Sequence, residues 1–82
     1  MTLLDTAYRY AQPPGDREMR AVREVREVYG IWRVCFDEPN QIVRVEYDAS
    51  RLREEDVASL LRNAGIQLEN KIPLAASSSA AS

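Results

Sequence analysis

Hydrophobic and polar residues alternate along the start of the chain, which is typical of a half-buried strand. We therefore predict a first strand over residues 2–10. One of its two faces carries Leu4, Thr6, Tyr8 and Tyr10, and the other carries Leu3, Asp5, Ala7 and Arg9. Pro13, Pro14 and Gly15 follow, and they predict a loop because proline lacks the N–H that a strand ladder needs.

A helical repeat comes next, over residues 16–29. Apolar residues recur there at every third or fourth position, and charged residues fill the remaining positions. The apolar stripe consists of Met19, Val22, Val25, Val28 and Tyr29. We expect Asp16 to cap the start of this helix and Gly30 to end it in the left-handed conformation.

Two further alternating segments flank the turn residues Glu38, Pro39 and Asn40, so we predict a hairpin of strands over residues 31–37 and 41–48. The expected core-facing residues are Trp32, Val34, Phe36, Val43, Val45 and Tyr47. The opposite face of the same two strands carries Arg33, Cys35, Ile42, Arg44 and Glu46.

A second helix is predicted over residues 54–64 and a last strand over residues 66–72. The element order is then βαββαβ. Because crossover connections are right-handed, both helices lie on one face of a four-stranded antiparallel sheet in the order 4-1-3-2. We therefore expect an α+β, ferredoxin-like sandwich whose second sheet face is open.

The chain has 82 residues, which fits one small domain. We expect that domain to occupy residues 1–72, and we expect residues 73–82 to form a flexible tail because they are mostly alanine and serine. The start of the chain lacks the charge order of a signal peptide, and no uncharged run reaches membrane-spanning length. We therefore expect a cytoplasmic protein that does not associate with membranes.

Composition removes several kinds of chemistry. The chain has no histidine and a single cysteine, Cys35, which excludes an intrachain disulfide, a histidine base and a conventional zinc site built by one chain. The net charge of -2 gives no reason to expect nucleic-acid binding. We expect neither a cofactor nor catalysis.

The fold residues resemble the heavy-metal-associated domain family, which includes copper chaperones, mercury-binding proteins and the N-terminal modules of metal-pumping ATPases. The resemblance covers about residues 6–69. It is carried by Val28-Tyr29-Gly30-Ile31, by Val34 and Phe36, by Val43-Arg44-Val45-Glu46-Tyr47-Asp48, and by the segment from Val57 to Gly65-Ile66. That family holds soft metal ions through a G-M-x-C-x-x-C motif before its first helix. Here Pro14 and Arg17 occupy the positions of the two cysteines. The resemblance thus implies the fold without its metal site.

Two groups of residues are candidates for binding. Arg17 and Arg20 lie near the predicted start of the first helix, where cations oppose the helix dipole, so with Gly15 they are candidates for holding an anion or a partner's carboxylate. The alternative is that both arginines are solvated and pair with Asp16 and Glu24.

The second candidate is the open sheet face, where Arg33, Cys35, Ile42 and Arg44 form a predicted partner surface that would suit an acidic protein. Pairing through the edge of the second strand would instead give a homodimer. We therefore expect a domain that binds a protein partner or a second copy of itself.

Two other functions stay open. Cys35 is a candidate for a metal ligand shared across a dimer, in a protein related to copper transport. The alternative is that Cys35 only fills space as a small apolar side chain. Acylphosphatases share the βαββαβ order, so an enzyme that binds anions or acyl phosphates through Arg17 or Arg20 together with Asn40 is a further alternative.

Overall fold

The computed structural model describes residues 2–72, and the predicted tail lies outside the described residues. It contains six elements, which are β1 (Leu3–Tyr10), α1 (Asp16–Arg26), β2 (Ile31–Asp37), β3 (Ile42–Asp48), α2 (Glu54–Asn63) and β4 (Leu68–Ile72). The predicted βαββαβ order is confirmed. Element ends differ from the predicted ends by up to three residues.

The strands form one antiparallel sheet in the order β2-β3-β1-β4. This is the predicted order, and the fold is ferredoxin-like. β2 and β4 are the two edges. β3 is central and pairs with β1 and β2 along nearly its whole length, so its alternating side chains define the two faces of the sheet.

The core lies between one sheet face and the two helices, and we call this the covered face. β3 contributes Val43, Val45 and Tyr47 to it, as predicted. The side chains that are most completely buried are Tyr10, Leu61, Val22, Val43, Val45 and Val57. Tyr10 also meets Phe36 edge-on, with the ring centroids 5.7 Å apart. The alternation of Tyr8 and Tyr10 toward the core is therefore confirmed.

Trp32 does not lie in the core, contrary to the prediction. The pairing of β2 with β3 shifts between Ile31 and Arg33, because Ile31 pairs with Tyr47 and Arg33 pairs with Glu46. Trp32 is thus the extra residue of a β-bulge, and a bulge displaces its residue from strict alternation. Ile31 is buried in its place, and Trp32 is 56% exposed.

Both ends of the first helix also differ from prediction. α1 ends at Arg26. Beyond it, the N–H groups of Glu27 and Val28 donate to the carbonyls three residues earlier, those of Glu24 and Val25, in place of the last predicted helical turn. Tyr29 therefore leaves the apolar stripe and is 72% exposed. At the other end the cap residue is Gly15, one position before the predicted Asp16.

Candidate functional surfaces

The open sheet face contains a shallow depression of about 250 Å³, lined by Asp5, Arg33, Cys35, Arg44 and Glu46. The strand register explains this grouping, because Arg33 lies beside Glu46 and Glu46 beside Asp5 across three adjacent strands. Cys35 lies beside Arg44 in the next row. The structure thus brings together three of the four residues predicted for the partner surface.

Asp5 completes the charge balance of this depression. Its Oδ2 accepts a hydrogen bond from Nη2 of Arg44 at 2.6 Å, and this bond raises the pKa of Arg44. With Asp5 and Glu46 present, two carboxylates balance the guanidinium groups of Arg33 and Arg44. The depression therefore has no net charge that would attract an acidic partner. Pairing the alternation of the first strand with that of the third would have found Asp5.

The remaining predicted residue, Ile42, lies outside the depression. It is half-buried at the start of β3, between Asp37 of β2 and Arg9 of β1. Cys35 is exposed and unbonded to another cysteine. Within residues 2–72, no group of three or more histidine, cysteine, aspartate or glutamate side chains has the spacing of a metal site.

At the N-terminus of α1, the carboxylate of Glu18 accepts a hydrogen bond that a bound anion would otherwise accept. Oε1 of Glu18 accepts the backbone N–H of Gly15 at 2.9 Å. Arg17 and Arg20 are exposed, and neither forms an ion pair within residues 2–72. The pairs expected with Asp16 and Glu24 are thus not formed. An anion at this end would compete with Glu18 for the Gly15 N–H.

Asn40, the predicted partner of Arg17 or Arg20 in the enzyme alternative, lies in the hairpin loop between β2 and β3. Its Nδ2 donates to Oδ2 of Asp37 at 2.9 Å, which stabilises the loop. Gln41 in the same loop has a positive φ of 55°, a conformation that few residues other than glycine adopt. The amide of Asn40 therefore has a structural partner within its own turn.

The most exposed aromatic side chains of the described residues lie together where α1 ends and β2 begins. Tyr29 and Trp32 line one cleft of about 340 Å³ with Arg51, and Arg26, Glu27 and Val28 contribute to its walls. The Arg51 guanidinium carbon lies 4.2 Å from the centroid of the Tyr29 ring. We call Tyr29, Trp32 and Arg51 the aromatic surface. The sequence pattern gave no indication of it, because the pattern assigned both rings to the core.

The turn that carries Arg51 is held by Asp48, whose side chain is buried. Its Oδ1 accepts hydrogen bonds from the hydroxyl and the N–H of Ser50 at 2.6 and 3.0 Å, and from the N–H of Thr2 at 3.2 Å. Arg51 Nε lies 3.4 Å from the other carboxylate oxygen. These contacts, led by the Ser50 hydroxyl, lower the pKa of Asp48. Asp48 therefore helps to hold Arg51 over the Tyr29 ring.

A second polar cluster joins β1, α2 and β4. Glu54 accepts a hydrogen bond from the Tyr8 hydroxyl at 2.8 Å and one from Lys71 Nζ at 2.6 Å. Burial and the Glu54 carboxylate raise the pKa of Tyr8 to about 12, and the bond from Lys71 lowers the pKa of Glu54. A tyrosine that is protonated and a carboxylate that is ionised at neutral pH suit a structural link better than proton transfer.

Comparison of the chain with models of protein families, with curated proteins and with solved structures gives no match. The resemblance to heavy-metal-associated domains thus stays an expectation from the sequence. Neither helix of residues 2–72 has the length and apolar character required to span a membrane.

Proposed function

We propose that this chain is a small protein-interaction module with a ferredoxin-like fold, similar to a heavy-metal-associated domain that lacks the metal-binding cysteine pair. The aromatic surface is its main contact site, and the chain acts without catalysis or a cofactor. The exposure of Trp32 beside Tyr29 is the observation that carries this proposal. We expect such a module to act in the cytoplasm.

Exposed charges are stable in water, whereas large exposed rings leave apolar area uncovered. The chain has one tryptophan, and the bulge in β2 holds it at the surface while Ile31 takes the buried position that alternation assigns to Trp32. Tryptophan, tyrosine and arginine are also the residue types that most often dominate binding energy at protein interfaces. All three meet in this cleft.

Two side chains of the aromatic surface also contact each other before any partner arrives. Arg51 stacks on Tyr29, and Arg51 Nε also lies 3.4 Å from the carboxylate of Asp48. Ordering side chains on binding costs free energy, so a surface already in place loses less on association. This arrangement favours a binding role for the cleft over a role in which its side chains rearrange around a substrate.

The test compares Trp32→Ala with Leu4→Ala, because Leu4 is also an exposed apolar residue, at 48%, but lies on β1 outside the cleft. Self-association is measured by sedimentation velocity over a range of concentrations. A partner captured from cells is then purified and its affinity measured directly. We expect Trp32→Ala to weaken whichever association occurs at least about tenfold. Leu4→Ala should change it less than about threefold.

Two results would contradict the proposal. One is the absence of any association, with itself or with a purified partner, that depends on Trp32. The other comes from native mass spectrometry during an anaerobic Cu(I) titration of the reduced protein. Uptake of one copper per dimer that Cys35→Ser abolishes would support the metal-binding alternative instead.

A further inference from the structure

We propose that the partner is a second copy of this chain, and that the two copies pair antiparallel along β2 with Cys35 of each on the two-fold axis. This inference rests on the proposed function and specifies one occupant and one register. Within residues 2–72, β2 is an edge strand that pairs with β3 alone. Such an edge has backbone groups free to continue the ladder.

The charges on β2 favour this register. Arg33, Cys35 and Asp37 occupy alternate positions of the strand, opposite Glu46, Arg44 and Ile42, so all three belong to the open face. When the axis passes through Cys35, Arg33 of each copy lies opposite Asp37 of the other. The dimer then gains two cross-strand pairs of opposite charge. Neither Arg33 nor Asp37 forms an ion pair in residues 2–72.

Neighbouring registers lack this complementarity. An axis through Arg33 or Asp37 places two like charges directly opposite each other, which destabilises a strand pair. An axis through Val34 or Phe36 leaves Arg33 and Asp37 without an oppositely charged residue across the strand pair. The Cys35 register also places buried Val34 of one copy opposite half-buried Phe36 of the other, so apolar contacts continue along the covered face.

Two features of the edge limit the new ladder without preventing it. The bulge at Trp32 ends regular pairing at Arg33, which places the aromatic surface next to the dimer seam. Nη2 of Arg26 donates to the Val34 carbonyl at 2.9 Å. A carbonyl oxygen has two lone pairs, so this bond leaves one acceptor site for a second strand.

The test uses charge exchange on the full chain, with sedimentation velocity for the dissociation constant. Arg33→Asp makes both positions acidic and Asp37→Arg makes both basic, so each single variant should weaken the dimer about tenfold. The double exchange restores opposite charges and should return the constant to within about threefold of the parent value. Arg62→Asp, which makes the same charge change as Arg33→Asp but on α2, should have no effect.

Disulfide formation provides an independent readout of the register. Because Cys35 is the only cysteine, mild oxidation can give a covalent dimer only through Cys35 of both copies. We expect such a dimer from the parent and the double exchange, and a reduced yield from either single variant. Cys35→Ser should keep the non-covalent dimer and lose the covalent one.

The inference is wrong if the chain sediments as a monomer at all concentrations, or if dimerisation is equal in the parent and both single variants. A monomer that binds a different protein through Trp32 would overturn this inference and leave the proposed function standing. A dimer that responds to the charge exchange but not to Trp32→Ala would support this register and contradict the proposed function. The absence of any association would contradict both.

Discussion

The two faces of β3 place different chemistry on the same strand. The covered face buries Val43 and Val45 completely, whereas the open face presents Arg44 at 58% exposure beside Glu46. Apolar burial stabilises the fold without directional contacts, and the open-face charges meet one another in water, where pairs contribute little. The covered face therefore determines stability, and the open face and its β2 edge are free to serve binding.

Leu61→Ala in α2 should give the largest effect among the tests of this comparison. Leu61 has no exposed surface, so its truncation removes buried apolar area and leaves a cavity. We expect the free energy of unfolding to fall by about 2–5 kcal/mol, measured by urea denaturation with circular dichroism. The matched control Arg44→Ala on the open face should cost less than about 1 kcal/mol. Equal losses of unfolding free energy in the two variants would show that the open face also stabilises the fold.

Glu54→Gln gives a smaller expected effect, at a place where a charged side chain contacts Tyr8, a buried residue of the covered face. Glutamine keeps the size of the side chain but loses the charge that binds Lys71 and Tyr8. The Glu54 side chain is 36% exposed, so solvent screens part of the interaction. We expect the free energy of unfolding at neutral pH to fall by about 1 kcal/mol.

The pH dependence supplies the control for this variant. The pKa of Glu54 is lowered in the folded protein, so its contribution is present above the ordinary value of 4.5 and is lost as the pH falls through the folded value. Denaturation of the parent from pH 7 downward should therefore converge with that of Glu54→Gln in acid. A constant difference across that range would contradict an ionic contribution from Glu54.

Asp5→Asn on the open face should have the smallest effect. It weakens the bond to Arg44, a pair whose side chains are 33% and 58% exposed. We expect a loss of about 0.2–1 kcal/mol that decreases as salt is added, because ions screen exposed charges. Urea midpoints at low and high salt measure this change. A loss that is large and independent of salt would assign the open face a role in stability.

The strand order and the covered face of β3 were predictable because they follow from crossover handedness and from strict alternation. Trp32 was misplaced because a bulge adds one residue without any change in composition. Ile31 and Trp32 are both apolar, so alternation alone cannot say which of the two faces inward. Tyr29 was misplaced because hydrophobic spacing continued beyond the point at which α1 ends and the turn to Gly30 begins.

The candidate sites were likewise predictable where alternation holds and missed where it breaks. The depression on the open face was largely predicted, since Arg33, Cys35 and Arg44 alternate with core residues on strands that were assigned correctly. The aromatic surface was missed, because it consists of two rings that depart from the pattern and an arginine from a turn distant in sequence. Arg17 and Arg20 remain candidates, although the Gly15 N–H already has an internal acceptor.

The displacement of Trp32 by the bulge also determines what tryptophan fluorescence can measure in this protein. The only tryptophan is already 56% exposed in the folded state, so unfolding changes the polarity around its indole only modestly. Its emission is therefore a weak probe of denaturation. Because the same ring lies in the cleft, burial by a partner should shift its emission to shorter wavelength and protect it from quenchers. Fluorescence titration can thus follow binding while circular dichroism follows folding.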